Sequence, residues 1–350
     1  MRGRWQALCG LVLSRIDFAR FRPWTVSFRN QGVAALVAVA AAIHAGGSWA
    51  QAWPVKPVRY VIPFDAGSSP DIVGRTITER LTRLWGQQVF VENRVGAAGT
   101  LGSAYVAKSP PDGYTLLMAN IASNAIVVSL YAKMPYDQLR DFAPITRIGI
   151  TPNIILVHPS VPFKTVRQMI DYARANPGKL NYSAALAGTS PHLTMELLKL
   201  QLKFDIVHVP YKIGVQAVTD TIAGQVPINV SNAPLSIGAL QGNRLRALAV
   251  TSAQRLSVLP DVPTMQESGV PNFVVNSWQG LMAPANTPAA ILDKINADMH
   301  TALRSPEVEK RMQEAGMPPS PTTRQEFDQF VRGEIARWAR VIKEAGIPQQ

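Results

Sequence analysis

Residues 57–93 read PVRYVIPFDAGSSPDIVGRTITERLTRLWGQQVFVEN. The apolar run PVRYVIPF (57–64) predicts a buried strand, and DIVGRTITERLTRLWG (71–86) predicts a helix that ends at Gly86. The apolar residues at helical spacing are Ile72, Ile77, Leu81 and Leu84. QQVFVEN (87–93) predicts a second strand. A strand, a helix and a strand in this order form a βαβ unit, whose two strands run parallel.

The same alternation of strands and helices continues to the C-terminus. Further strands are expected at 114–120, 153–159, 205–211, 226–232, 245–251 and 273–284, and further helices at 165–178, 192–201, 217–224, 306–316 and after 287 and 323. The pair Thr323 and Glu326 has the spacing of a capping box and opens the last helix. The helix after 287 should bury Leu292, Ile295, Met299 and Leu303, and the last one Phe327, Phe330, Val331, Ile335, Trp338 and Ile342.

This alternation predicts an α/β fold with mostly parallel sheets flanked by helices. Residues 154–276 are a complete α/β series by themselves. We therefore expect two lobes: a discontinuous lobe one (53–153 and 277–350) and an inserted lobe two (154–276). The chain crosses between the lobes near 154 and near 276, and these two crossings are the expected hinges.

The first fifty residues have the pattern of a secretory signal peptide. Six arginines and one acid precede the apolar run VAALVAVAAAI (33–43), and small residues ending in Ala50-Gln51-Ala52 follow it. A basic region, a short apolar region and an A-x-A site predict a signal peptide over 1–52, with cleavage after Ala52 and export to the periplasm. The alternative is a membrane anchor, but eleven apolar residues are too few to span a bilayer.

Charge and cysteine content narrow the function classes. The chain carries a formal net charge of +12, of which the predicted leader accounts for six Arg and one Asp, leaving +7. This modest surplus suits small anions, and the absence of a Lys/Arg block argues against nucleic acid. The only cysteine, Cys9, lies in the leader. The exported protein therefore has no disulfides and must be held together by its core.

The sequence contains no catalytic or metal-binding motif that we recognise. It has no G-x-S-x-G, H-E-x-x-H or Walker A pattern, and no two histidines after the leader have metal-ligand spacing. A Ser-His-Asp triad remains open, because its members need not be near each other in sequence. We expect no cofactor and no metal.

Two similar turns are the strongest candidates for a binding site. Residues 67–71 read GSSPD and residues 188–192 read GTSPH, each after a predicted strand. Ser-Pro alone only marks a helix start, as at Ser305-Pro306, so Ser69 and Ser190 are expected to cap their helices. The glycine and hydroxyl upstream of each Ser-Pro add an anion site at the carboxyl end of a strand, with one turn in each lobe.

Residues at the same place in the two turns have two interpretations. Asp71 is either a dipole-compensating residue of the first helical turn or a partner for a ligand ammonium or hydroxyl. His192 is either a residue of the first helical turn with no role in binding or a donor to a carboxylate.

Other candidate residues lie at the ends of predicted strands. Tyr211 and the neighbouring Lys212 follow the HVP segment (208–210) of a predicted strand and face either a hinge-side surface or the cleft. Asn120, Ser123 and Asn124 follow a strand of lobe one and are expected to line the cleft.

Many collinear segments from Trp53 onward resemble the Bug family, the periplasmic receptors of tripartite tricarboxylate transporters. They are PFDAGSSPD, VENRVGAAGTLG, PDGYTLLM, YDQLRDFAPI, HVPYK, LAVTSAQR, LPDVPTMQESG and SWQGLMAPANTP. The resemblance implies a type II, Venus-flytrap binding protein that holds a carboxylate in two strand-helix loops, which match Phe64–Asp71 and Ala187–His192. Two positions depart from the family, because Ser68 and Ile213 stand where relatives usually have Gly. Ser68 is therefore expected to tune which carboxylate fits.

The turns and the resemblance together give a set of candidate ligand-binding residues. They are Phe64, Ala66, Gly67, Ser68, Asp71, Asn120, Ser123, Asn124, Ala187, Gly188, Thr189, Ser190, His192 and Tyr211. The leading hypothesis is a monomeric receptor that delivers a small carboxylate to integral membrane transporter subunits. Two alternatives remain: a sensor that presents its ligand to a receptor kinase, and an enzyme that uses Asp71 and His192 as base and acid.

Overall fold

The computed structural model describes residues 53–185, 187–344, 346–347 and 349. The predicted signal peptide lies outside these described residues. None of the described helices is both long enough and apolar enough to cross a bilayer.

Strands and helices alternate over residues 58–250 of the described chain, and a further strand and three consecutive helices follow. The described strands are β1 (Val58–Ile62), β2 (Val89–Asn93), β3 (Thr115–Asn120), β4 (Phe142–Val157), β5 (Asn181–Ala185), β6 (Val207–Tyr211), β7 (Ile228–Asn232), β8 (Arg246–Val250) and β9 (Asn276–Pro284). The described α-helices are α1 (Ser69–Trp85), α2 (Thr100–Ala107), α3 (Val127–Leu130), α4 (Val166–Ala175), α5 (Ser190–Leu202), α6 (Gly214–Ile222), α7 (Ala233–Gln241), α8 (Ala289–Leu303), α9 (Pro306–Glu314) and α10 (Arg324–Glu344). The predicted α/β fold is confirmed.

The βαβ unit predicted from residues 57–93 is present as β1, α1 and β2. The two strands pair in parallel, and α1 ends at Gly86, which adopts a left-handed conformation with φ 61°. The buried face of α1 consists of Val73, Ile77 and Leu81. The prediction that Ile72 belongs to this face is wrong, because it lies in the first turn beside the face and its side chain is 37% exposed.

The strands form one continuous arrangement that divides at β4. The order is β2-β1-β3-β9-β4-β7-β5-β6, with β8 also paired to β4. Residues Phe142–Pro152 of β4 pair with β9, whereas Asn153–Val157 pair with β7, and β8 joins this second part. We call β2, β1, β3, β9 and the first part of β4 sheet 1, and the remaining strands sheet 2. The chain thus passes between the sheets at Pro152–Asn153 and again just before Asn276.

Parallel pairing holds for only three strands in each sheet. β2, β1 and β3 are parallel in sheet 1, and β6, β5 and β7 are parallel in sheet 2. The strands β4, β8 and β9 pair antiparallel to their neighbours. A chain that crosses to a second sheet must also return, so β4 and β9 run past each other in opposite directions.

Strand β4 begins earlier than the sequence predicts, and helix α7 was not predicted. The first eleven residues of β4 carry Pro144 and Pro152, which argue against a central strand. The register of β4 shifts near Pro144, and its pairing partner changes after Pro152, so both prolines are accommodated. Helix α7 begins next to Pro234, directly after β7. Its small residues are more typical of a turn than of a helix, so the sequence pattern did not indicate it.

The C-terminal helices pack as their apolar stripes predict. Leu292, Ile295 and Met299 of α8 are buried against sheet 1, and the predicted capping box opens α10 with Thr323 and Glu326 bonded to each other's backbone N–H. Helix α10 covers β9, where Trp278 contacts Phe327 and Phe330 edge-on and donates a hydrogen bond to the buried Glu334. This packing holds the start of β9 in place, next to the point where the chain returns from sheet 2 to sheet 1.

Candidate functional site

The β1–α1 loop is a tight turn that requires glycine. Gly67 has a φ of 77°, a left-handed conformation that strains any residue with a Cβ. The Ser68 N–H donates to the Asp65 carbonyl at 3.1 Å, and the Gly67 N–H donates to Asp71 Oδ2 at 2.9 Å. These two bonds fold the loop back over the start of α1.

The β5–α5 loop repeats this design with Gly188, whose φ is 83°. The helix-capping positions are held by Ser68 and Thr189, which have extended backbones, so the prediction that Ser69 and Ser190 cap the helices is wrong. These two serines are the first helical residues, and their hydroxyls have other partners. Ser69 Oγ accepts from Gln279 Nε2 at 3.1 Å, and Ser190 Oγ donates to Asn153 Oδ1 at 3.3 Å.

A cavity lies where the two helix starts face each other. Its empty volume is about 820 Å³, part of it open solvent. Five of the predicted site residues line it: Phe64, Ser68, Asn120, Thr189 and Ser190. Because the first N–H groups of a helix have no partner within it and the helix dipole is positive there, the starts of α1 and α5 together favour an anion in this cavity.

Ser68 adds an unused hydrogen-bond donor to this cavity. Its side chain makes no capping bond to α1. Its Oγ is buried and has no hydrogen-bond partner within the described part of the chain. A buried hydroxyl without a partner is costly, so this group is suited to a ligand oxygen in the cavity.

The end of β7 contributes a polar wall that the sequence did not reveal. Asn229, Ser231 and Asn232 all line the cavity. Ser231 Oγ donates to Asn229 Oδ1 at 2.8 Å, so the two side chains are held together. A signal was present for two of them, because Asn229 and Ser231 alternate with apolar residues in VPINVSN and therefore share one face of the strand. That this face meets the cavity depends on pairing with β4 and β5, which the sequence alone does not specify.

Most of the remaining wall is apolar, with one charge of each sign. The apolar wall residues include Pro63, Phe64, Val95, Val230 and Leu235. The charged residues of the wall are Asp65 from the β1–α1 loop and Lys212 from the segment after β6. An apolar lining with a few placed polar groups is the usual form of a small-molecule site.

Both loop glycines lie against the opposite side of the cleft. A Cβ added at Gly188, beside sheet 2, would lie 2.9 Å from Leu130 Cδ2 in α3. A Cβ added at Gly67, beside sheet 1, would lie 3.6 Å from Val215 Cγ2 in α6. The predicted residues Ala66, Gly67, Ala187 and Gly188 are thus outside the cavity wall, in the turns where the two sides approach each other.

Asp71 supports the β1–α1 loop and is not part of the cavity wall. It is buried, and its carboxylate accepts from the Gly67 N–H, from Arg75 Nε at 2.8 Å and from Asn93 Nδ2 at 2.9 Å. Burial alone would raise the pKa of Asp71, but these hydrogen bonds hold it below its ordinary value. The first interpretation of Asp71, as a residue of the helix start, fits these contacts.

Ser123 and Asn124 support Asn120, a residue of the cavity wall. Both are fully buried and neither belongs to the wall. Ser123 Oγ donates to Asn124 Oδ1 at 2.7 Å, and Asn124 Oδ1 also accepts from the N–H of Asn120 at 3.0 Å. Asn124 Nδ2 donates to Gln138 at 2.7 Å. Their contacts orient Asn120, which does line the cavity.

His192 and Tyr211 have contacts away from the cavity wall. The His192 ring lies 4.5 Å from the His208 ring, centroid to centroid, and burial lowers its pKa. Tyr211 donates to Asp220 Oδ2 at 2.8 Å. Among the described residues, no three His, Cys, Asp or Glu side chains are grouped as a metal site.

Comparison with known proteins identifies the family. Residues 73–347 match the sequence model of the family described as tripartite tricarboxylate transporter family receptor. The chain is 34% identical to protein BugT of Bordetella pertussis over 298 residues, which cover 85% of this chain and 91% of BugT.

Two solved structures of similar proteins contain carboxylates. The R. palustris protein Rpa4515 with adipate is 36% identical and superposes with a TM-score of 0.82, covering 85% of this chain and 99% of that one. MatC of Rhodopseudomonas palustris with bound malate is 32% identical, with a TM-score of 0.78 and coverage of 83% and 100%. The two-lobe periplasmic binding fold is therefore confirmed, and this chain belongs to the tripartite tricarboxylate transporter family receptors, the Bug-type periplasmic solute-binding proteins.

Proposed function

We propose that this protein is a periplasmic receptor that captures a small carboxylate between two lobes and delivers it to a tripartite membrane transporter. The observation that carries the proposal is the meeting of two glycine-hydroxyl helix starts, from α1 and α5, at one cavity. Adipate and malate bound to two relatives support the carboxylate class.

The carboxylate would be held by groups that the fold leaves available at the cavity. These are the first N–H groups of α1 and α5 and the hydroxyl of Ser68. Backbone N–H groups fixed by a turn are oriented before the ligand arrives, which lowers the entropic cost of binding. The apolar wall around Phe64 and Leu235 would contact the carbon skeleton of the ligand.

Capture would proceed by closure of the lobes, with boundaries at 53–153 and 277–350 for lobe one and 154–276 for lobe two. The change of partners at Pro152–Asn153 and the start of β9 at Asn276 support hinges at these points. A ligand that contacts both loops stabilises the closed form by its higher affinity for that form. The contacts of Gly67 and Gly188 across the cleft are consistent with such closure.

The same proposal includes a transporter partner, a monomeric state and export through a signal peptide that is cleaved after Ala52. Family membership supports the first and the leader sequence supports the last. An enzymatic role finds less support, because Asp71 and His192 are both outside the cavity wall and have other contacts. Ligand recovered unchanged after stoichiometric binding is the expected behaviour of a receptor.

The test is a binding screen of the purified protein with mono-, di- and tricarboxylates, amino acids and aromatic acids. Thermal shift identifies ligands, since any compound that binds the folded state raises the melting temperature. Calorimetric titration then gives stoichiometry. We expect one site and at least one carboxylate ligand. Failure of every carboxylate to bind would overturn the proposal, as would chemical turnover of the bound ligand.

A further inference from the structure

Asp65 is a carboxylate on the cavity wall without a cationic partner. It lies between Phe64 and Ser68, which line the same cavity. Its carbonyl accepts from the Ser68 N–H, which fixes the backbone of the loop. No Lys, Arg or His in the described part of the chain lies within ion-pair distance of its side chain. Burial raises the pKa of Asp65, and a hydrogen bond from its own backbone N–H offsets part of this effect.

The only other charged residue in the described wall of this cavity is Lys212, from the sheet 2 side. Lys212 also has no ion pair with a described acid. The cavity therefore presents both signs of charge, and neither is neutralised by the protein. Helix starts and Lys212 favour one carboxylate of a ligand, whereas Asp65 disfavours a second negative charge.

An unpaired acid in a binding site acts on specificity in two ways. The acid repels a ligand group that is also negatively charged. A ligand that displaces water from the acid without bonding to it leaves the charge of the acid uncompensated. A ligand that offers a hydrogen-bond donor removes both penalties. Sites built to pair with a ligand OH or NH group reject analogues that lack it far more strongly than apolar pockets reject a missing methylene.

We propose that Asp65 makes this receptor selective for carboxylates that also carry a hydrogen-bond donor, an ammonium or a hydroxyl group, over the same acids without it. This inference rests on the proposed function of the cavity. It assigns to Asp65 the role of a specificity-determining residue that touches the ligand.

The test compares ligands that differ only in the donor. One series is succinate, malate and aspartate; the other is phenylpropanoate, phenyllactate and phenylalanine. Dissociation constants are measured by calorimetry for the native protein, D65A and D65N. The control is D261N, which removes an exposed acid from a loop outside the cavity wall. Melting temperatures without ligand establish that each variant is folded.

The native protein should bind a donor-bearing member of at least one series about tenfold or more tighter than its unsubstituted member, as expected for a hydrogen bond to a charged group. The D65A variant should lose this preference, and D261N should keep it. D65N distinguishes the two donors: Asn retains an acceptor oxygen, so a hydroxyl preference should largely persist, whereas an ammonium preference should fall with the lost charge.

Two results overturn the inference while leaving the proposed function intact. One is equal binding of the substituted and unsubstituted acids in both series. The other is a donor preference that D65A retains in full. Failure of every carboxylate in the wider binding screen to bind the native protein would overturn the proposed function, and the role of Asp65 with it.

Discussion

Asn232, on the cavity wall, donates a hydrogen bond from its Nδ2 to Oδ1 of Asn153 at 2.6 Å. Asn153 is fully buried and is the first residue of β4 after the chain passes from sheet 1 to sheet 2. Its Oδ1 also accepts from Ser190 Oγ, and its Nδ2 donates to Thr194 Oγ1 at 2.7 Å. One side chain thus joins the crossing, the end of β7 and the start of α5.

Replacement of Asn153 by Ala should weaken ligand binding as well as stability. Loss of these bonds leaves buried polar partners unsatisfied, which lowers the free energy of unfolding by about 1–3 kcal/mol. Because Ser190 and Asn232 lose their orientation, we expect affinity to fall by about tenfold, as for one lost hydrogen bond. Denaturant unfolding and calorimetric titration measure the two effects separately.

The matched control is N296A. Asn296 Nδ2 donates to the carbonyls of Ile145 and Thr322 at 2.7 and 3.0 Å, away from the cavity wall. Its loss should reduce stability to a similar extent without changing affinity. If N153A binds its ligand as tightly as N296A does, Asn153 does not position the cavity wall.

Replacement of Gly188 by Ala should hinder closure of the cleft. The new Cβ would lie 2.9 Å from Leu130 Cδ2, and the left-handed backbone adds strain of about 1–2 kcal/mol. Gly178 has a similar φ of 73° but no neighbour within 4 Å of an added Cβ, so G178A carries the strain alone. We expect G188A, and not G178A, to weaken ligand binding. Restoration of affinity by L130A in the G188A background would confirm the contact; an unchanged affinity in G188A would contradict it.

Replacement of Ser68 by Ala should reduce affinity without lowering stability. The Ser68 hydroxyl makes no capping bond, so its removal costs α1 nothing, whereas the ligand loses a hydrogen bond of about 1 kcal/mol. The control is T165A, since Thr165 Oγ1 accepts from the Gln168 N–H and caps α4. Its loss should lower stability by about 1 kcal/mol without affecting binding. S68G should in addition change the ligand preference, and an unchanged ligand profile would count against a role for Ser68.

Protonation of His208 should destabilise the protein in mild acid. Burial lowers its pKa from 6.5 to about 4, with a further contribution from His192. Between these two values the unfolded chain binds a proton that the folded chain does not, so the free energy of unfolding falls as pH decreases through this window. The groups around it are Tyr182, His192, Glu196 and Lys199. Unfolding curves between pH 7 and 4 should be flatter for H208Q, and curves parallel to those of the native protein would exclude His208 as the source.

Local patterns predicted the elements, but their mutual arrangement was harder to obtain. Residues 57–93 specify β1, α1 and β2 because the apolar periodicity and Gly86 agree on one structure. The first part of β4 was missed, because Pro144 and Pro152 are unfavourable in a strand unless a bulge and a change of partner accommodate them. Strand direction depends on pairing between segments that are distant in sequence, such as β4 with β9, and this pairing leaves no local signature.

The candidate site shows the same division. Ser68 and Ser190 were found because a glycine, a hydroxyl and a proline before a helix are a local signal. Asp71 and His192 occupy equivalent places in the two turns, yet one supports its loop and the other contacts His208. Asn229 reaches the cavity through the pairing of β7 with distant strands, which its neighbours in sequence do not specify. Asp65 lies inside the predicted loop, but only the structure shows that it lines the cavity, whereas its neighbours Ala66 and Gly67 do not.

The position of β9 between β3 and β4 has a consequence for the order in which the chain can fold. All partners of sheet 2 lie within residues 153–250, so that sheet can form as soon as this segment is available. Sheet 1 must wait for residues 276–284, which pair with strands more than a hundred residues earlier, and such distant pairing is slow. A nascent chain that stops before Asn276 would leave β3 and the first part of β4 as open edges, the condition under which strands join other chains.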